Sequence, residues 1–172
     1  MIYDLPARDD PVDQGDIIDG CPVLRISQFS VPDLLLEVAD SLEIEGAFSR
    51  VVVLTQTCDL ANQKTTVATV ALVRDAEQLV RQGLLKATDV RGPIRAGRVF
   101  GWYFLPKSDE HGLPESIVDL HPLHAVRLDL LTALCQHGRR RARIQPLYRE
   151  HLAKHFADTY SRIGLPQPYA TK

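Results

Sequence analysis

The sequence predicts a mainly β (α+β) fold, a small antiparallel barrel with a short helix and a C-terminal helix appended. Three observations carry that prediction. Two β-branched apolar runs, Val51 to Thr55 and Thr66 to Val73, flank a polar connection, as two buried neighbouring strands do. Strand-like segments come first and a clear helix closes the chain, with none of the strand–helix alternation that a parallel sheet demands. The closing helix declares itself by Tyr148, Leu152, Phe156 and Tyr160 at i+4 steps, with Leu147 and Ile163 beside them.

A chain of 172 residues has the length of one domain and can bury a core without disulfides or metal. With 45% hydrophobic and 24% charged residues and a formal net charge of -2, it matches a soluble globular protein. Any anionic partner must therefore be met by a local patch rather than by global charge. Cys21, Cys58 and Cys135 are odd in number and widely spaced, which suits a reducing, cytoplasmic compartment better than a disulfide framework. The acidic, proline-containing start lacks the marks of a signal peptide, and no apolar run approaches the ~18 residues of a membrane span.

Residues 1–14 read as a flexible leader, and 15–172 as a single domain. The first strand begins at Gly15-Asp16-Ile17-Ile18 and resumes, after a break at Gly20, at Pro22 to Ile26. Residues 27–49 form a long connection in which Leu34 to Val38 fits a short strand and a helical turn equally well. After the central strand pair, Asp75 serves as the N-cap of a short amphipathic helix whose stripe is Leu79, Val80, Leu84 and Leu85. Residues 86–100 give no decisive signal. Arg98 to Leu105 is an aromatic strand that Pro106 stops. A turn then leads to a strand at Ser116 to His121. His124 to Leu134 alternates like a strand at Val126, Leu128 and Leu130, yet its Leu-rich end suits a helix. The last helix spans 146–163, with Pro146 near its start, Gly164 in the C-cap position and Pro166 beyond.

Several motifs follow one another in an order that has a known counterpart. Gly15-Asp16-Ile17 matches an opening "GD[IV]" strand, and Arg50-Val-Val-Val-Leu-Thr-Gln56 with Asp59-Leu-Ala-Asn62 matches an "RPxxVxQND…N" strand and loop. Thr66 to Val73 matches "TxIVxPLT", Ser116 to Val126 matches "SxVLxDQIRTVD", and Ala142-Arg-Ile144 with the last helix matches a "GxLs" strand and terminal helix. In these features the chain resembles the MazF/PemK (Kid) family of toxin endoribonucleases, whose fold is an SH3-like barrel. The resemblance covers most of the chain. It implies a metal-independent endoribonuclease acting on single-stranded RNA, cytoplasmic, homodimeric, without cofactor, and partnered by an antitoxin or another protein. The departures are specific. Val51 replaces the proline after the arginine, Gln56-Thr57-Cys58-Asp59 replaces Gln-Asn-Asp, and Val73 stands where the family has a phosphate-contacting Ser or Thr.

Metal-independent RNA cleavage needs a base for the 2′-hydroxyl, an acid for the leaving oxygen and a cation on the phosphate. In the central connection Arg50 is the candidate clamp, Asp59 the candidate base, and Gln56 or Thr57 a positioning donor. The simpler alternative is that Asp59 and Asn62 cap a turn and Arg50 ends a solvated strand. Arg139, Arg140, Arg141 and Arg143 form the basic cluster and, with Lys64, are the candidate contacts for RNA or an acidic partner. A solvated loop is the alternative. Trp102, Tyr103 and Phe104 either stack bases or fill the core. Cys58 has no histidine nearby in sequence, so a small buried loop residue is the simpler expectation. His151 and His155 lie one turn apart without a third ligand, and His121 and His124 flank Pro122-Leu123 with still less to recommend them. The loss of the hydroxyl residue at Val73 keeps a rival open: a catalytically inactive barrel acting as a binding or regulatory module in a toxin–antitoxin or phage-defence complex. A thiol- or metal-dependent hydrolase is a third reading.

Overall fold

The computed structural model describes residues 2–35, 42–62 and 64–161, and these form one curled antiparallel sheet dressed with short helices. Its strands are β1 (Tyr3–Asp4), β2 (Asp16–Phe29), β3 (Leu42–Val53), β4 (Val67–Asp75), β5 (Trp102–Leu105), β6 (Ser116–Arg127) and β7 (Arg140–Ile144). They lie in the order β1-β7-β2-β3-β4-β6-β5, every pairing antiparallel. The helices are α1 (Val31–Leu35), α2 (Thr57–Ala61), α3 (Ala76–Arg81), α4 (Ala87–Asp89), which runs on into a π-helical turn at Val90–Ile94, α5 (Leu128–Gln136) and α6 (Tyr148–Tyr160). The two edges of the sheet approach each other, since the Tyr3 hydroxyl donates to the carbonyl of Pro106, just past β5, at 2.9 Å. Among the described residues this closure is made by side chains, not by a β1–β5 ladder.

The continuous apolar run of β3 is explained by burial on both faces. Val52 and Leu54 point into one cluster with Ile17, Ala71, Val73, Val118, Leu120 and Ala142, under Leu152 of α6. Val51 and Val53 point the other way, into a cluster with Ile18, Cys21, Val70 and Ala68, covered by Leu60 of α2 and Leu131 of α5. Each such side chain contributes roughly 1.5–3 kcal/mol by leaving water. A third cluster packs Leu79 of α3 with Val90, Ile94 and Ile117.

The Gly15-Asp16 pair has a physical role here. Gly15 sits at φ +86, and a side chain there would press within 3.2 Å of Ile144 in the facing strand. Asp16 is wholly buried, and it receives Arg143 Nε at 2.6 Å and Arg143 Nη2 at 2.9 Å. Arg140 Nε stands 3.2 Å from the same carboxylate, a contact of charge rather than an aligned hydrogen bond.

Several sequence expectations change. Residues 2–14, read as a flexible leader, are tied down: Tyr3 is buried, β1 pairs with β7, and Arg140 donates to the carbonyls of Ala7, Asp10 and Pro11. The central connection is not a loop throughout, because Thr57–Ala61 closes a helical turn. Asp75 caps α3 as expected, accepting from Gln78 N–H at 3.0 Å, but Gly83 at φ +72 ends the helix before Leu84. The ambiguous stretch after His124 is both strand and helix, β6 passing into α5 at Leu128. The closing helix is described from Tyr148 to Tyr160, and positions 162–164 of the expected C-cap lie outside the described residues. Among the described residues no helix is long and apolar enough to cross a membrane.

Candidate functional site

Of the residues expected to act together in the central connection, Gln56, Thr57 and Asp59 share the turn of α2, while Arg50 is engaged by another carboxylate. Arg50 forks onto Asp19 through Nε at 2.5 Å and Nη2 at 3.1 Å, and Arg141 Nε joins the same carboxylate at 2.6 Å. Burial by itself raises the Asp19 pKa, but hydrogen bonds and charge from Arg50 and Arg141 more than reverse this and hold it below the ordinary value. Among the described residues the Asp59 side chain meets exposed groups, Lys64 Nζ at 3.5 Å and the Cys58 thiol at 3.7 Å. Four strand steps divide Arg50 from Leu54, about 13 Å at the rise of a β-strand, and Asp59 lies beyond that end. Gln56 is the residue before α2, without a side-chain capping bond. The Thr57 hydroxyl is buried and has no partner among the described residues. Cys58, expected to be buried, is exposed.

The basic cluster is largely spent on structure. Arg140 is buried and Arg143 nearly so, both committed to Asp16 and to carbonyls of the N-terminal segment. Arg141 is bound to Asp19 but half-exposed, and Arg139 is exposed. Val73 is core, with no polar role.

A different group of residues converges on the far side of the sheet, where β4, β5 and β6 meet. The register places Leu72 opposite Asp119 and Asp119 opposite Trp102, so these three share one row. Between Ala71↔Leu123 and Leu72↔Asp119 the ladder skips, and residues 120–122 bulge out of β6. Bulges re-aim side chains and occur often beside active sites. Here Pro122 cannot donate to a ladder, which makes the bulge its natural position.

The bulge is held rather than loose. Tyr160 of α6 donates its hydroxyl to the carbonyls of Leu120 at 2.5 Å and His121 at 3.1 Å, and Leu120 N–H bonds Gly101 O at 2.9 Å. Gly101, at φ +82, lies directly under the His121 ring; a Cβ there would come within 2.3 Å of it. Only glycine permits both that backbone and that approach.

Asp119 is 5% exposed and bonds His121 twice, from the backbone N–H at 3.1 Å and from Nδ1 at 2.9 Å. Its other oxygen lies 3.7 Å from Arg74 Nη1. A carboxylate facing an arginine is an acceptor, so Nδ1 carries the proton and the lone pair falls on Nε2. The His121 side chain stays 55% exposed, and Trp102 meets its ring edge-on at 4.9 Å between centroids. Arg74 also lines a neighbouring polar cavity of about 260 Å³ with Ser49, Arg50, Asp75, Gln78 and Gln82. A buried carboxylate that orients an accessible imidazole, with an arginine beside it, is an arrangement chemically capable of moving a proton.

The sequence held part of this signal. Asp119-Leu-His121 places its polar residues two apart, hence on one face of a regular strand. Arg74 and Gly101 join them only through register, which no local pattern reveals. No family model matches the chain, and a comparison with curated proteins found no match.

Proposed function

We propose that the chain cleaves single-stranded RNA without metal, with its reactive centre at His121, Asp119 and Arg74 rather than in the central connection. The observation that carries the reading is the 2.9 Å bond from His121 Nδ1 to a buried Asp119 that also faces Arg74. His121 Nε2 takes the proton of a ribose 2′-hydroxyl, whose oxygen attacks the adjacent phosphorus. The 5′-oxygen leaves, recovering a proton from the imidazolium or from water, and a 2′,3′-cyclic phosphate remains. Arg74 stabilises the charge that builds on the phosphoryl oxygens, and Trp102 offers a face or edge to a base. The resemblance to MazF/PemK toxins supports the substrate class and the absence of a cofactor. It does not support its own residue assignments, because Arg50 is paired with Asp19 and Val73 is buried.

The test is cleavage of a long single-stranded RNA in EDTA. Wild type should give discrete products, His121→Ala and Arg74→Ala should each lose ~10²-fold or more in rate, and Asp59→Ala should match wild type. Loss with Asp59→Ala and none with His121→Ala would return the site to the central connection.

A second reading has its own observation. Arg50, the candidate phosphate clamp, is held by Asp19 with its side chain only 23% exposed, as a purely structural residue would be. A folded protein that cleaves no RNA would be a binding or regulatory module, in keeping with the partners of toxin–antitoxin or phage-defence complexes.

A further inference from the structure

Beyond Cys21 and Ser49, β2 and β3 leave the sheet and continue as a two-stranded ribbon. Their outer neighbours stop short of it, since β7 pairs β2 only over Asp16 to Ile18 and β4 pairs β3 only over Val51 to Val53. The register assigns each ribbon residue to a face. Pro22 opposes Phe48, Leu24 opposes Gly46, Ile26 opposes Ile44 and Phe29 opposes Leu42. Residues opposed in an antiparallel pair share a face, so these eight form one surface without a charge. The other surface carries Arg25 against Glu45, bonded at 2.6 Å, and Gln28 against Glu43.

The spacing is maintained by a bulge. From Leu24 and Ile26 the alternation should place Gln28 on the apolar face and Phe29 on the polar one. The register shift between Ile26 and Gln28 leaves Ser27 unopposed, and this one extra residue returns Phe29 to the apolar face. Gly46 has the complementary role, leaving room for Leu24 to lie across the ribbon, with Leu24 Cδ2 3.2 Å from where its Cβ would be. Yet Leu24, Ile26, Phe29, Ile44 and Phe48 are 57–83% exposed. An isolated two-stranded ribbon is at best marginal in water, and a coherent apolar face on one marks an interaction site.

We propose that this face is covered by the same face of a second copy of the chain, the two ribbons packing face to face about a two-fold axis. The occupant must be flat, uncharged and as long as the ribbon, and the ribbon itself meets all three conditions. With the two-fold axis crossing the ribbons the ends exchange, so Phe48 at the base of one meets Phe29 at the outer end of the other, and Ile26 and Ile44 lie near the axis. Arg25, Glu43 and Glu45 stay in water on the outer surfaces. At roughly 100 Å² of apolar surface per large side chain, five of them cover on the order of 500 Å² per copy. The pair thus buries on the order of 1,000 Å² of side-chain surface, and with the ribbon backbone it approaches the ~1,200 Å² at the lower limit of specific interfaces. The contact is therefore of moderate, concentration-dependent strength. It stands apart from the chemistry at His121.

The test is sedimentation equilibrium of the full chain over a concentration series, with dye binding to exposed apolar surface measured in parallel. Wild type should show a monomer–dimer equilibrium that Ile26→Asp with Ile44→Asp weakens at least ~tenfold, since each charge would be buried unpaired. Arg25→Ala with Glu45→Ala, on the other face, should change it less than ~threefold. In a Cys58→Ser background, Ile44→Cys should be joined to its own copy by a short bismaleimide and Glu45→Cys should not. The circular dichroism of each variant reports whether the sheet is intact. A monomer at every concentration would overturn the proposal; dye binding abolished by the two aspartates would then assign the face to a different partner. A dimer that survives both aspartates would overturn it equally.

Discussion

Replacing Asp16 with alanine removes the carboxylate that Arg140 and Arg143 share at the sheet's β2–β7 seam, leaving Arg143 only the more distant charges of Asp13 and Asp4. Asp16 has no exposed surface, the Arg140 side chain is 2% exposed and the Arg143 side chain 17%. Stripping one partner from a buried ion pair costs about 3–5 kcal/mol, because the remaining charge stays out of water. Arg140 keeps three carbonyl acceptors and Arg143 keeps the carbonyl of Pro11 at 2.7 Å, so the loss should fall at the lower end, near 3 kcal/mol. For a domain of this size that is a fall in Tm of roughly 6–12 °C. Urea unfolding followed by circular dichroism measures it, and a double-mutant cycle with Arg143→Ala isolates the cause. Arg143→Ala should cost ~1 kcal/mol or more less in the Asp16→Ala background than in wild type. A loss under ~1 kcal/mol for Asp16→Ala, or strict additivity with Arg143→Ala, would refute the claim that this cluster secures the N-terminal segment.

Other predictions test separate parts of the account. Gly101→Ala, forced into both a left-handed backbone and the His121 ring, should leave the protein folded but lower RNA cleavage at least ~tenfold; unchanged rates would mean that the ring position does not matter. Asp19 has a depressed folded pKa, so its contribution to stability is present above the unfolded value and is lost as pH falls below ~4 through the folded value. Asp19→Asn should accordingly flatten the acid limb of a stability–pH curve, and an unchanged limb would contradict the pairing. A thiol reagent should modify Cys58 alone in the native protein and all three cysteines in denaturant. Burial raises the Cys135 thiol and pushes Cys21 up to about 11, and fast native modification of either would contradict their placement.

What the sequence revealed and what it hid divide along physical lines. The Val51-Val-Val-Leu54 run, the Asp75 cap and the Leu152–Phe156 stripe are local patterns, and a strand or helix formed at each, though the Asp75 helix stops before Leu84. The outer β2 half of the ribbon was hidden because a bulge at Ser27 breaks the period-two spacing that marks a strand, whereas the β3 half keeps that spacing at Leu42, Ile44, Gly46 and Phe48. The basic run misled because composition cannot tell an arginine facing solvent from one facing a buried aspartate: Asp16 lies more than a hundred residues from Arg140 and Arg143. The same holds for Arg50, whose partner Asp19 reaches it only through the β2–β3 register. His121 gained importance when the bulge set it over Gly101 and beside Asp119.

The most direct test of the central claim is chemical rescue of His121→Ala in single-turnover cleavage of single-stranded RNA in EDTA. If the imidazole of His121 is the base, the variant should lose ~10²–10⁴-fold and added imidazole should restore much of the rate, while Arg74→Ala gains nothing from it. A His121→Ala protein as fast as wild type, or a folded wild type that leaves RNA intact, would contradict the assignment.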